Sequence, residues 1–256
     1  MSSLEFVHAK RYGQNFLTTP ATQQKIIDAF TSHYDSASSL VEIGPGVGDL
    51  TQFLVSCNPL LVEIDSRAVA VLQTRFPTLQ IRCTDALHDL ENLAPYWPQD
   101  FYLFSNLPYN VGSRILIALS LAFPQTPFTV ILQEEVALKT KPEGHFTLFG
   151  AWLNFVWETR VLFKISRGNF TPAPRVDSAL LQGAPRNGID LDLPLAFAIL
   201  KKLLIHPKKT LANNLKNLGW DKAQVERFLI TAALPPTTRL TWTNYAQILR
   251  QILAFR

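Results

Sequence analysis

Cysteine is nearly absent from this chain of 256 residues. Only Cys57 and Cys83 occur, each among apolar neighbours. Two isolated thiols exclude a disulfide framework, and they do not have the spacing of a metal site. We therefore expect free thiols in a reducing compartment and no bound metal.

Long apolar runs are missing as well. No 18 consecutive apolar residues occur, which argues against a membrane span. Residues 1–11 include Glu5, His8, Lys10 and Arg11 and lack the apolar stretch of a secretory signal. Hydrophobic residues make up 47% and charged residues 17%, so the chain has enough apolar surface to fold. We expect a cytoplasmic protein that does not contact membranes.

Acidic residues are scarce at one end of the chain. Residues 199–256 hold ten Lys and Arg but only Asp221 and Glu226, a net charge of +8. Because the whole chain carries +4, the preceding 198 residues carry −4. A basic tail on a mildly acidic body favours a polyanionic partner, although a solvated helical domain with surface lysines would look the same.

Internal repeats are absent, and the first part of the chain alternates apolar strands with helices. The predicted strands are 40–43, 60–64, 79–83, 101–104 and 128–132, with 155–163 and 178–182 as a closing pair. Helices are predicted at 49–56, 66–75 and 113–122. Strands this apolar, separated by helices, indicate an α/β fold with a parallel sheet covered on both faces.

After residues 183–188 the pattern changes to helical spacing alone. Helices are predicted at 193–205, 210–218, 221–232 and 241–253, with no strands between them. We therefore expect two domains, an α/β domain over 1–183 and a small all-helical domain over 189–256.

Glycines stand at alternate positions in the turn after the first strand of the sheet. Gly44, Gly46 and Gly48 let the backbone turn sharply and approach a ligand without a Cβ in the way. The dinucleotide fingerprint fails, because Asp49 occupies the place of its third glycine. The turn suits a ligand that lays an amino acid end and a ribose on the backbone; a plain strand–helix turn is the alternative.

Acidic residues end the next two strands. Glu63 can accept hydrogen bonds from both hydroxyls of a ribose, because ligands sit beyond the carboxyl ends of parallel strands. Asp85 is placed to accept from an adenine amino group. A surface carboxylate is the alternative for Glu63, and a helix N-cap is the alternative for Asp85.

The most specific local signal is the N-L-P-Y sequence after the fourth strand. An exocyclic amine of a nucleobase is a poor nucleophile, because its lone pair is delocalised into the ring. Asn106 can accept a hydrogen bond from the amine, and a backbone carbonyl at Leu107 or Pro108 can accept another. Tyr109 offers a flat face for the base. If only this face matters, Tyr109→Phe should be nearly neutral.

These motifs together resemble the ribosomal RNA adenine N6,N6-dimethyltransferase family of the small-subunit type. The resemblance extends over nearly the whole chain, through Lys10–Leu17, Glu42–Gly48, Glu63–Asp65, Asp85–Ala86, Asn106–Asn110, Leu132–Val136, Phe170–Ser178, Lys208–Leu211 and Asn213–Leu215. It implies a Rossmann-like S-adenosylmethionine-dependent methyltransferase domain over 1–183 and a helical rRNA-binding domain over 189–256. It also implies an enzyme that acts as a monomer on adjacent adenines near the 3′ end of small-subunit rRNA, during ribosome biogenesis.

The resemblance further implies the site residues. The S-adenosylmethionine site would comprise Asn15, Leu17, Gly44, Gly46, Glu63, Ile64, Asp85, Ala86 and Asn106. The catalytic set would comprise Asn106, Leu107, Pro108 and Tyr109, with Phe170 facing Tyr109 across the target adenine. An extruded base needs two apolar faces to replace its lost stacking. For Phe170, a core aromatic is the alternative.

The sequence departs from the family pattern in its basic surface. Glu134 stands where Lys is usual, Ala212 stands where Arg is usual, and His206-Pro207-Lys208 replaces an Arg-rich stretch. The pocket motifs are intact, so the chemistry follows from the resemblance more firmly than the substrate does. Two alternatives stay open: the antibiotic-resistance branch that acts on large-subunit rRNA, and a non-catalytic ribosome-assembly or transcription factor.

Overall fold

The computed structural model of the protein describes residues 15–93 and 95–255. The described residues leave out 1–14, which include residues 1–11 and residues 10–14 of the N-terminal motif. They also leave out Arg256 of the basic tail.

The chain forms two compact units. The first comprises the chain up to Leu138 together with Trp157–Pro185, and the second comprises Lys139–Val156 and the chain from Arg186 onward. The second unit therefore includes residues 139–156, which lie inside the range that the sequence analysis assigned to the α/β domain.

The first unit alternates strands and helices. Its elements are β1 (Phe16–Leu17), α1 (Pro20–Thr31), β2 (Ser39–Ile43), β3 (Leu60–Glu63), α2 (Ser66–Arg75), β4 (Ile81–Cys83), α3 (Ala86–Glu91), β5 (Phe101–Asn106), α4 (Gly112–Ala122), β6 (Phe128–Gln133), α5 (Glu134–Leu138), β7 (Trp157–Ile165), β8 (Phe170–Thr171) and β9 (Ser178–Pro185).

Within the described residues, seven strands form one sheet in the order β4-β3-β2-β5-β6-β9-β7. The strands from β4 to β6 are parallel, and β9 and β7 add an antiparallel pair at one edge. In β2, β3 and β5 nearly every residue is buried, as expected for parallel strands covered on both faces. The predicted α/β class and the closing strand pair are confirmed.

Two local predictions were wrong. Residues 49–56 do not form an α-helix but two 3₁₀ turns, Thr51–Phe53 and Val55–Cys57. These i→i+3 turns bury Leu50 and Leu54 in a segment closed by Asn58, whose φ is 48°. The strand predicted at 155–163 begins only at Trp157, because the residues before it complete a helix of the second unit.

Phe170 belongs to the core of the first unit. Its side chain is 3% exposed and shares an apolar cluster with Ile26, Phe30 and Leu180. The backbone holds it there, because β8 pairs with β1 and places Phe170 opposite Leu17. Phe170 thus takes the core position that the sequence left open as its alternative, and its place opposite Tyr109 across a base stays a prediction.

The second unit is helical within its described residues. Its helices are α6 (Leu148–Val156), α7 (Leu193–Leu203), α8 (Leu211–Leu215), α9 (Lys222–Thr231) and α10 (Tyr245–Ala254). Trp152 is fully buried and packs against Phe197, with ring centroids 5.0 Å apart. Asp221 and Gln224 form a capping box that starts α9. None of the described helices has the length and apolar character needed to cross a bilayer.

The position of Phe170 predicts a large effect on stability. Phe170→Ala should lower the free energy of unfolding by about 3–5 kcal/mol, because it leaves a cavity in a packed core. Phe163→Ala is the matched control; Phe163 is only partly buried against the same cluster, so its loss should be smaller. Urea unfolding measures both. A change below about 1 kcal/mol for Phe170→Ala would contradict the core role.

Candidate active site

A cavity of about 280 Å³ opens at the carboxyl ends of the parallel strands. β2 lies between β3 and β5, and the chain leaves this point of the sheet in opposite directions. Such a switch point leaves a crevice in which α/β proteins bind ligands. The described residues that line it include Asn15, Leu17, Gly44, Gly46, Glu63, Ile64, Asp85, Ala86, Asn106, Leu107, Pro108 and Tyr109.

The structure therefore brings together all of the site residues from the sequence analysis except Phe170. The cavity is also lined by residues that were not predicted as part of the site, among them Phe16, Glu42, Asp49, Val111 and Ile115.

The alternating glycines have different structural reasons. Gly44 and Gly46 have φ of 64° and 61°, a left-handed conformation that side chains disfavour. A Cβ on Gly46 would also lie 2.5 Å from Cε1 of Phe16, whose ring occupies that space. A Cβ on Gly44 would meet Pro108 only at an ordinary 3.8 Å. Gly46 thus accommodates the N-terminal arm, whereas Gly44 lies on the open wall of the cavity.

Glu63 fastens this turn to the end of β3. Its Oε2 accepts from the Gly46 amide at 2.9 Å, and its Oε1 accepts from the Asp65 amide at 2.9 Å. Burial raises the pKa of Glu63, and these two hydrogen bonds oppose the rise. Each carboxylate oxygen can accept a further bond, so Glu63 can hold the turn and still receive a ligand.

Glu42 is a cavity residue that sequence reasoning missed. Its side chain is 2% exposed, and Oε2 accepts from Thr51 Oγ1 at 2.8 Å. Burial raises the pKa of Glu42 to about 8, with smaller contributions in the same direction from Glu63 and Asp49. The available signal was its place as the first residue of the glycine motif, on a strand where a carboxylate is unexpected.

The cavity as a whole is acidic. Of its described lining residues, Glu42, Asp49, Glu63 and Asp85 are acidic and none is basic. Because its pKa is raised to about 8, Glu42 is mostly protonated at neutral pH, so the negative charge comes from the other three. Like charges repel at this range, so a pyrophosphate is disfavoured and a ligand with positive charge is favoured.

Asp85 caps a helix and also lines the cavity, so both roles that the sequence left open are compatible with its position. Its Oδ1 accepts from the Leu87 amide at 2.9 Å and caps α3. Asp85 is also exposed and lines the cavity. Because one carboxylate oxygen satisfies the cap, the other is left to accept from a ligand.

Asn106 ends β5 with a fixed amide orientation. Its Nδ2 donates to the backbone carbonyl of Asn15 at 3.0 Å. A carbonyl can only accept, so this contact assigns the nitrogen end and leaves Oδ1 as the acceptor. The contact with Asn15 therefore leaves Oδ1 of Asn106 as the atom available to a ligand.

The backbone of the N-L-P-Y loop offers one acceptor rather than two. The Pro108 carbonyl already accepts from the amides of Val111 and Gly112, at 3.1 and 2.8 Å. The Leu107 amide donates to Ile131, and no described backbone amide donates to the Leu107 carbonyl. The sequence left Leu107 and Pro108 as equal candidates, and the structure favours Leu107.

The positions that depart from the family pattern are not among the described residues that line the cavity. Glu134 begins α5, and its carboxylate lies 2.9 Å from Nζ of Lys164, which also contacts Asp177. His206 and Pro207 are exposed in the second unit.

Known proteins resemble this chain over nearly its whole length. The model of the ribosomal RNA adenine dimethylase family matches residues 6–255. The chain is 32% identical to ribosomal RNA small subunit methyltransferase A of Streptococcus agalactiae serotype V, over 91% of this chain and 87% of the relative. It is 33% identical to the protein of the same name from Streptococcus pyogenes serotype M1, with the same coverage.

Solved structures share the fold. A dimethyladenosine transferase from Plasmodium falciparum aligns with a TM-score of 0.74 and 19% identity, over 94% of this chain and 97% of that chain. The 23S rRNA methyltransferase ErmE aligns with a TM-score of 0.67 and 21% identity, over 94% and 99%. With the acidic cavity at the switch point and the full-length match of the family model, these likenesses agree with the motifs, and the chain belongs to the ribosomal RNA adenine dimethylase family.

Proposed function

We propose that this protein transfers two methyl groups from S-adenosylmethionine to N6 of adenine in small-subunit ribosomal RNA. The observation that carries the proposal is the orientation of Asn106. Its amide nitrogen is committed to Asn15, so its carbonyl oxygen is the group that can accept from an adenine amine at the cavity.

The cavity fits S-adenosylmethionine better than a dinucleotide. The cofactor carries positive charge on its sulfur and amino group, which suits a wall that includes the carboxylates of Asp49 and Glu63. When bound, it supplies a methyl group activated by the positive sulfur. The residues that would hold it are Asn15, Leu17, Gly44, Gly46, Glu63, Ile64, Asp85, Ala86 and Asn106.

Asn106 and Leu107 would prepare the adenine. Accepting from both amine hydrogens draws the nitrogen lone pair out of the ring plane and towards the methyl donor. Asn106 Oδ1 and the Leu107 carbonyl are the acceptors, and Pro108 stiffens the loop between them and Tyr109. These groups are held before the base arrives, so little reorganisation is needed during the reaction.

The base would stack on Tyr109. Phe170 could supply the second face only by leaving the core. Val111 and Ile115 line the cavity already and give the base its other apolar contact in this proposal.

The relatives support the small subunit as the target. The streptococcal proteins, 32–33% identical, are named for small-subunit RNA, whereas the likeness to the large-subunit enzyme ErmE rests on 21% identity and shows the fold alone. A non-catalytic role is disfavoured, because a protein without turnover has no need to keep Asn106 and Glu63 placed at one cavity. We expect a monomer to carry out the reaction.

Methylation of purified ribosomal subunits with labelled S-adenosylmethionine tests the proposal. The protein should dimethylate adenines in small subunits and leave large subunits unlabelled. Asn106→Ala should slow single-turnover methylation about 10²–10³-fold, the usual effect of losing a preorganised acceptor. The second transfer should slow at least as much as the first, because monomethylated N6 retains one hydrogen.

Asn92→Ala is the matched control, because Asn92 caps α3 on an exposed surface outside the cavity lining. It should methylate at the parent rate. Label in the large subunit alone, or an Asn106→Ala protein that folds and dimethylates at the parent rate, would contradict the proposal.

The second unit would contact the RNA through exposed lysines. Lys201 and Lys202 end α7, Lys208 and Lys209 follow in the next turn, and Lys216 follows α8. Hydrogen bonds from Asn217 to Lys202 O and from Asn214 to His206 O hold these segments together. Among the described residues 199–255, the one ion pair is between Lys222 and Glu226. The lysines of this cluster therefore have no carboxylate partner there.

The lysine cluster predicts salt-dependent RNA binding. Changing Lys208 and Lys209 to Ala should weaken RNA binding and lower the slope of log affinity against log salt by about 2, because two fewer counterions are released. Affinity for S-adenosylmethionine should not change. Lys222→Ala, in the same unit but paired with Glu226, should have a smaller effect. If RNA affinity changed neither with salt nor with the double substitution, the lysine cluster would not contact the RNA.

A further inference from the structure

The hydroxyl of Tyr109 is engaged inside the protein. It makes a hydrogen bond with Ser178 Oγ, 69 residues further along the chain. Ser178 is fully buried, whereas Tyr109 is half-buried and lines the cavity. The phenol therefore has a fixed partner on the protein side, and its ring face is the part left for a ligand.

Ser178 is a rigid anchor because it lies between two strands. It is the first residue of β9, where it pairs with Gln133 of β6 on one side and Ile165 of β7 on the other. A hydroxyl at this position is fixed by the sheet rather than by a loop.

The residue before the anchor is fastened at three points. The Asp177 carbonyl accepts from the Glu134 amide at 2.9 Å, and its carboxylate accepts from the Arg167 amide at 2.9 Å. Nζ of Lys164 lies 2.7 Å from the same carboxylate and 2.9 Å from that of Glu134. The contact with Lys164, and after it the hydrogen bond from the Arg167 amide, lower the pKa of Asp177.

We propose that Ser178 is a positioning residue, which holds the ring of Tyr109 in the orientation that stacks the target adenine. The proposal rests on the proposed function above. A tyrosine fixed only at its Cα can turn about two side-chain bonds. A tyrosine also fixed at its hydroxyl presents one ring plane, and a misplaced base costs rate even when binding is preserved.

The second methyl transfer should depend on this anchor more than the first. An unmodified N6 can donate to both Asn106 Oδ1 and the Leu107 carbonyl, so hydrogen bonds help to place the base. A monomethylated N6 retains one hydrogen, and stacking on Tyr109 must supply more of the alignment. The hydroxyl of Tyr109 therefore matters although it does not touch the base, which differs from the near-neutral Tyr109→Phe expected if only the ring face acts.

A double-mutant cycle tests the proposal. Ser178→Ala and Tyr109→Phe remove the same bond from its two ends, so a folding defect in the buried Ser178 variant still leaves the Tyr109 variant to decide. Single-turnover methylation of small ribosomal subunits would resolve mono- from dimethyladenosine. Each variant should slow the second transfer about 10-fold and the first only about 2–3-fold, the scale of one lost hydrogen bond, with unchanged cofactor affinity. The double variant should be no slower than either single one.

Tyr102→Phe is the matched control. The Tyr102 hydroxyl pairs with Thr129 Oγ1 at 2.8 Å, in the same sheet but away from the cavity lining. This variant should lose a similar hydrogen bond and keep the parent ratio of mono- to dimethylated product.

The outcomes separate the two proposals. If the unmodified protein methylates but Tyr109→Phe keeps the parent product ratio, or the effects of the single variants multiply, the positioning role is overturned and the function stands. If the unmodified protein methylates neither subunit, the proposed function fails and the positioning role fails with it.

Discussion

The site depends on the buried carboxylate of Glu63. By accepting from the amides of Gly46 and Asp65, it fastens the turn after β2 to the end of β3. Gly46 in turn leaves space for the ring of Phe16. The arm that carries Phe16 also brings the Asn15 carbonyl to Asn106, which orients the amide at the end of β5. One acidic side chain therefore links the wall that would hold the cofactor to the group that would accept from the base.

Acidic and basic residues are concentrated in different parts of the chain. The described residues that line the cavity include Asp49, Glu63 and Asp85, besides a Glu42 that is mostly protonated at neutral pH, whereas residues 199–256 carry a net charge of +8. Acidic walls suit a cationic methyl donor and repel a phosphate backbone, and an excess of lysine does the opposite. The small net charge of the chain hides this division, which matches the proposed transfer of a methyl group from a cationic donor to a polyanionic RNA.

The sequence predicted the parallel strands and the cavity wall well, because buried strands read as continuous apolar runs and the motifs follow their ends. It predicted α2 at its observed bounds, but α1 was overlooked although Gln23, Ile26, Ile27 and Phe30 are buried at helical spacing. The core position of Phe170 and the hydroxyl partner of Tyr109 could not be predicted from sequence. The neighbours of Phe170 in the core and the Ser178 partner of Tyr109 come from distant segments, and only the folded sheet brings them together.

Calorimetric titration of the purified protein with S-adenosylmethionine and with NAD tests the central claim, that Glu63 anchors a cofactor site for a cationic, phosphate-free ligand. The protein should bind S-adenosylmethionine and not NAD. Glu63→Gln should weaken that binding by about 1–3 kcal/mol, whereas Glu91→Gln, on an exposed turn of α3 outside the cavity lining, should leave it unchanged. Tight binding of NAD without S-adenosylmethionine, or equal cofactor affinity in the Glu63 variant, would contradict the account.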